Sequence, residues 1–166
     1  MCHAMTADDK RRDYEDCLER IDALLDGETD WIAAMATVAC ELHHQFEAFH
    51  WTGFYRHTTP EKLVVGPYQG GHGCLHIDFS RGVCGKAATT RETQLIEDVE
   101  AIPHHIACSS TTRSEIVVPV LLPDRTVLAV LDVDSDHLAA FDAIDRHYLE
   151  RLCDKLGEQF AHTTQR

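Results

Sequence analysis

Apolar positions recur at two different spacings along this chain, and the change of spacing divides it into parts. Tyr14, Cys17, Leu18, Ile21, Leu24 and Leu25 return at three- and four-residue intervals, which puts them on one stripe of a helix. Thr6 followed by Asp9 reads as a capping box in front of that helix, and Gly27 as its stop. A second helix, capped by Thr29 or Asp30, carries the stripe Trp31, Met35, Val38, Leu42 and Phe46. Residues 1–48 are therefore expected to be helical. Cys17 lies on a core stripe and reads as packing.

The spacing then changes to that of strands. An aromatic-rich segment, Ala48 to Arg56, is followed by Lys62 to Tyr68, with a hairpin-like connection at Thr58-Thr59-Pro60-Glu61. From Gln69 to about Ser114 the pattern is irregular and rich in glycine. Short strands, a short helix near Val83 to Thr90 and long loops are expected there, and such an insert usually carries function. Two further strands, Glu115 to Leu122 and Val127 to Asp134, are apolar on both faces, so the sheet should be covered on both sides. A last helix, Phe141 to Ala161, carries Phe141, Ile144, Tyr148, Leu149, Leu152, Leu156 and Phe160, with Cys153 beside them as packing. This order predicts an α+β fold around an antiparallel sheet in one domain over 1–166: N-terminal helices over 1–48, sheet and insert over 49–136, and a C-terminal helix over 141–161.

Charge and cysteine usage narrow the function classes. A formal net charge of −13 repels phosphate backbones and anionic lipid, so no nucleic acid and no membrane is expected as partner. The first twelve residues hold no signal-like apolar run, and no apolar stretch reaches the roughly 18 residues that span a bilayer. A cytoplasmic, reducing location is expected. The seven cysteines are odd in number and contain no C-x-x-C pair, which argues against a disulfide framework and a four-cysteine zinc site. His43-His44 and His104-His105 are adjacent pairs and read as solvated histidines rather than ligands.

The last hairpin makes a sharper prediction. A two-residue turn at Asp124-Arg125 would pair Glu115 with Asp134 and Val117 with Asp132. Glu115, Asp132 and Asp134 would then share one sheet face with Val117, Leu128 and Val130. A lone acid at a strand end reaches for solvent. Three converging acids beside apolar side chains make a pocket for a cationic group, an ammonium or a divalent metal, and their mutual repulsion holds a proton on one of them. Cys74, Cys84 and Cys108 all fall in the glycine-rich insert, Cys108 beside His104 and His105. A nucleophilic thiol with resolving partners is the redox arrangement such a set offers.

These segments carry a resemblance. Trp51-Thr52-Gly53-Phe54-Tyr55, Gly66-Pro67-Tyr68-Gln69-Gly70, Gly82-Val83-Cys84-Gly85, His105-Ile106-Ala107-Cys108, Arg113-Ser114-Glu115-Ile116-Val117-Val118-Pro119 and Leu131-Asp132-Val133-Asp134-Ser135 together resemble the GAF-domain free methionine-R-sulfoxide reductases. The resemblance implies a GAF-like sheet of about six strands with helices on both faces. It implies Cys108 as nucleophile, Cys74 as the usual resolving cysteine and Cys84 as a further thiol. Trp51 and Tyr55 become the pocket wall, and Glu115, Asp132 and Asp134 its acids. Glu115 or Asp134 would donate the proton. His50, Gly71-His72-Gly73, Ser109 and Thr112 depart from the family pattern, and none replaces a reacting side chain.

The implied partners are free methionine sulfoxide and a thioredoxin-like reductant, with no cofactor and no metal, in a role against oxidative stress. A homodimer is compatible with the pattern. The implied pairing after turnover is Cys74–Cys108, with Cys84–Cys108 as the alternative. Two other readings compete. One is a non-catalytic GAF module that senses a small molecule. The other is a metal site made of the three carboxylates with His104 or His105.

Overall fold

A computed structural model describes residues 6–103 and 108–162. Helix α1 (Ala7–Leu24) begins at the expected capping box: the Asp9 amide donates to Thr6 Oγ1 at 3.1 Å, and the Thr6 amide donates to Asp9 Oδ2 at 3.2 Å. Asp30 caps α2 (Trp31–Gln45) by accepting from the Ile32 and Ala33 amides. Six strands follow: β1 (Trp51–Thr59), β2 (Lys62–Gln69), β3 (His76–Asp78), β4 (Gln94–Ile96), β5 (Ser114–Leu121) and β6 (Val127–Ser135). Helix α3 (Gly82–Thr90) lies between β3 and β4, and α4 (Ala143–Gln159) closes the fold behind a second capping box, Asp142 with Asp145. The first strand starts at Trp51 rather than Ala48, because Phe49 turns into the core against Phe46 and Phe141.

The strands form one antiparallel sheet in the order β3-β2-β1-β6-β5-β4. One face packs on α1, α2 and α4 through Tyr14, Met35, Leu42, Phe54, Ile116, Leu131, Leu149 and Phe160. Cys17 and Cys153 are fully buried in that layer, as packing residues. The Tyr14 hydroxyl donates to buried Asp145 at 2.7 Å, and Lys10 pairs with the same carboxylate, which ties α1 to α4. The opposite face carries Trp51, Tyr55, Leu63, Val117 and Val130 under α3. Helices therefore cover both faces, as the two-sided apolar strands require.

The last hairpin reaches the expected register by an unexpected route. The Arg125 amide donates to the Leu122 carbonyl at 2.8 Å, and the Leu122 amide to the Thr126 carbonyl at 2.9 Å. The turn thus holds three residues, Pro123, Asp124 and Arg125, not two. Arg125 adopts the left-handed conformation, φ 68°, which three-residue hairpins need at their last position. Leu121 then pairs with Val127 while Val120 pairs with Ala129, so Leu128 is an extra residue in β6. This bulge restores the register: Glu115 pairs with Asp134 and Val117 with Asp132. It also corrects one expectation. Leu128 packs in the layer under α1, α2 and α4, and Val127 takes its place beside Val117 and Val130.

No described helix is long and apolar enough to cross a membrane.

Candidate active site

Sheet pairing builds the site row by row. Trp51, Asp134 and Glu115 are opposed across β1, β6 and β5, and Gly53, Asp132 and Val117 form the next row. Paired residues project to the same side of a sheet. Two rows therefore gather three carboxyls beneath two aromatic rings. Trp51 stacks on Tyr55 at 5.7 Å and on Tyr68 at 5.1 Å, and its indole N–H donates to the Gly71 carbonyl at 2.9 Å. The resulting pocket is lined by Trp51, Tyr55, Cys84, Cys108, Glu115, Asp132 and Asp134, together with His72, Gly73 and Thr112.

Burial decides the protonation chemistry. Glu115 and Asp132 are each 5% exposed. Loss of water raises the Glu115 carboxyl well above its ordinary range, and Asp134 adds repulsion. Asp132 is raised by burial and by the Glu115 charge. One oxygen from each of these carboxyls and the Cys84 sulfur lie within 4.8 Å of one another, which couples their protonation. Asp134 is raised by burial, then by Asp132 and Asp136. All three carboxyls are raised, so the cluster as a unit, with Glu115, Asp132 and Asp134 as its members, holds a proton more tightly than an isolated acid does. Among the described residues, nothing hydrogen-bonds to Asp132 Oδ1.

The three cysteines of the insert meet at this pocket. Cys74 and Cys108 are joined by a disulfide with a Cα–Cα distance of 5.5 Å, and both are half-buried at the pocket mouth. Cys84 remains a thiol, buried on α3 at the pocket base. Burial pushes its pKa well up, and Asp132, Glu115 and Asp134 push it further.

The loop before Cys74 is less free than its glycines suggest. Gly70 has φ +108°, and a side chain there would meet the His50 carbonyl at 2.6 Å. A Cβ on Gly73 would lie 2.8 Å from the Tyr55 hydroxyl and 2.9 Å from Trp51 Cζ2. Only Gly71 has open space around it.

The sequence reading missed His50 as a positioning group. Its Nδ1 accepts from the Asp136 amide at 3.1 Å and lies 3.4 Å from Ser135 Oγ, and its own amide donates to the Asp134 carbonyl at 2.9 Å. It fixes the end of β6 that presents Asp134. The departure at this position was the available signal. Residues 104–107, with His104 and His105, lie outside the described residues.

The GAF domain family model matches residues 28–158. GAF domain-containing protein A of Dictyostelium discoideum is 46% identical, over 86% of this chain and 89% of that protein. The free methionine-R-sulfoxide reductase of Saccharomyces cerevisiae is 38% identical, over 86% of this chain and 83% of its own. The crystal structure of the Neisseria meningitidis free methionine-R-sulfoxide reductase in complex with its substrate superposes with a TM-score of 0.87. It is 45% identical, over 95% of this chain and 93% of its own. The chain belongs to the GAF domain family and, within it, to the free methionine-R-sulfoxide reductases.

Proposed function

We propose that this protein reduces free L-methionine-(R)-sulfoxide to L-methionine through Cys108, with Cys74 as resolving thiol. The observation that carries this reading is the Cys74–Cys108 disulfide at a pocket lined by two buried carboxyls, Glu115 and Asp132, and the half-buried Asp134. The substrate ammonium lies among Glu115, Asp132 and Asp134, and its methyl-sulfur end lies toward Trp51 and Cys108.

A carboxyl that still holds its proton, Asp132 or a neighbour sharing the cluster, donates to the sulfoxide oxygen and makes the sulfur electrophilic. The Cys108 thiolate attacks that sulfur. The bond between the two sulfurs then breaks as the protonated oxygen passes from the methionine sulfur to Cys108: the methionine sulfur is reduced by two electrons and methionine leaves, while Cys108 is oxidised by two electrons to a sulfenic acid. The Cys74 thiol condenses with the sulfenic acid, forming the disulfide and releasing water. A thioredoxin-like dithiol, as found in a reducing cytoplasm, restores both thiols by exchange. Cys84 is unsuited to resolve, because its surroundings oppose a thiolate. A purely sensory role leaves the disulfide and the protonated acid without a task.

The test is methionine release from separated free R and S sulfoxides and from a sulfoxide-containing peptide. The expected result is turnover of the free R form alone. Equal rates on the peptide contradict the reading, since a peptide lacks the ammonium that the acids receive.

A further inference from the structure

The pocket base holds a second kind of site. Cys84 Sγ and one carboxylate oxygen each from Glu115 and Asp132 all lie within 4.8 Å of one another, and all three residues are buried. A tetrahedral Zn²⁺ with bonds of about 2.0–2.3 Å places its ligands roughly 3.5 Å apart, so sub-ångström to one-ångström shifts bring these atoms into range. Asp132 is 95% buried, and its Oδ1 has no hydrogen-bond partner among the described residues while its carboxylate faces the pocket. An unsatisfied buried carboxylate oxygen is a costly feature that a cation relieves. The cavity beside these three side chains is roomy enough for an ion and a water.

We propose that Cys84, Glu115 and Asp132 bind a thiophilic divalent cation of the zinc class. The donor set, one sulfur and two oxygens, favours Zn²⁺ or Cd²⁺ over Mg²⁺ or Ca²⁺, which prefer oxygen alone. Binding replaces the Cys84 S–H bond by a metal–sulfur bond and releases that proton to solvent, together with any proton the two carboxyls share. No electron moves. Water supplies the fourth ligand. The site stands on the cluster geometry and not on the reductase reading. The added consequence does rest on that reading: the ion and the substrate ammonium use the same carboxylates.

The experiment is calorimetric titration of the Cys74–Cys108 disulfide form with Zn²⁺ in a non-coordinating buffer, alongside Cd²⁺ followed by thiolate-to-cadmium ultraviolet absorption. One ion per chain with a thiolate band is expected. Cys84→Ser should weaken binding by about tenfold or more and abolish the band. Asp132→Asn, which keeps the volume, should weaken binding and keep the band. Cys40→Ser should change neither, because Cys40 lies near His44 on α2, outside the pocket. Absence of bound metal, or binding with no thiolate band, overturns the proposal. So does binding that survives Cys84→Ser and is lost in Cys40→Ser. None of these readouts uses methionine sulfoxide, so failure here leaves the reductase reading untouched.

Discussion

Asp132 shows how one side chain is made useful by a poor environment. In water its carboxyl is ionised at neutral pH. Here burial and the Glu115 charge raise it. A carboxyl that keeps its proton can donate to a sulfoxide oxygen, and an ionised one beside it can hold an ammonium. Asp132→Asn should therefore lower kcat by about 10²-fold or more while raising thermal stability, as a buried acid is replaced by a neutral isostere. Steady-state kinetics and a melting curve on the same sample check both halves. The glycines give a second contrast at this scale. Gly73→Ala should impair turnover, because its Cβ strikes both Tyr55 and Trp51, while Gly71→Ala should behave as wild type. Equal behaviour of the two variants would mean that the aromatic wall does not need the close approach of this loop. Only the spacing of glycines was readable in the sequence, which does not distinguish a freely moving backbone from one pressed against a ring.

At the scale of elements, the β5–β6 hairpin places the acids. Its pairing was legible because apolar alternation and the Asp-x-Asp end admit few registers. The turn was not legible. Pro-Asp-Arg-Thr suits a type I turn with Pro123 second, which needs one more residue in the left-handed conformation and a compensating bulge. Nothing local to Leu128 marks it as the bulge, since it is apolar on either face. Arg125→Gly should stabilise the protein by about 1 kcal/mol, because glycine adopts φ 68° without the penalty arginine bears. Urea unfolding measures this, and a loss of stability would show that the turn conformation is misassigned. Helix α3 was legible near Val83 to Thr90 and spans Gly82–Thr90, whereas the short strands β3 and β4 were anticipated in kind but not in place. They are fixed by pairing to distant strands, β3 to β2 and β4 to β5, rather than by their own periodicity.

For the whole molecule, the buried cluster sets a pH dependence of folding. The cluster of Glu115, Asp132 and Asp134 binds more protons in the folded state than in the unfolded chain, whose acids titrate near pH 4. A raised carboxyl stabilises the fold below its unfolded pKa, and that contribution fades as pH rises through the folded value. The melting temperature of the ligand-free protein should thus fall as the pH is raised above the unfolded acids' range, about pH 4. The exposed acids with lowered values, Asp9, Glu15 and Asp124, act below about pH 4 and do not offset the trend. Asp132→Asn should flatten the slope without removing it, since Asp145 and Asp154 are raised as well. A wild-type melting temperature that rises across this window would contradict the buried, protonated cluster.

The molecule as a whole is arranged so that one thiol at the pocket mouth works against three acids at its base, with a loop thiol beside it to complete the cycle. The most direct test is a single turnover. Fully reduced protein, freed of reductant, is mixed with an excess of free methionine-R-sulfoxide, quenched and analysed for both product and thiol pairing. The account predicts about one methionine released per chain, with Cys74–Cys108 formed in step and Cys84 still free. Methionine released with Cys108 left as a free thiol, or no methionine released by the reduced protein, would contradict it.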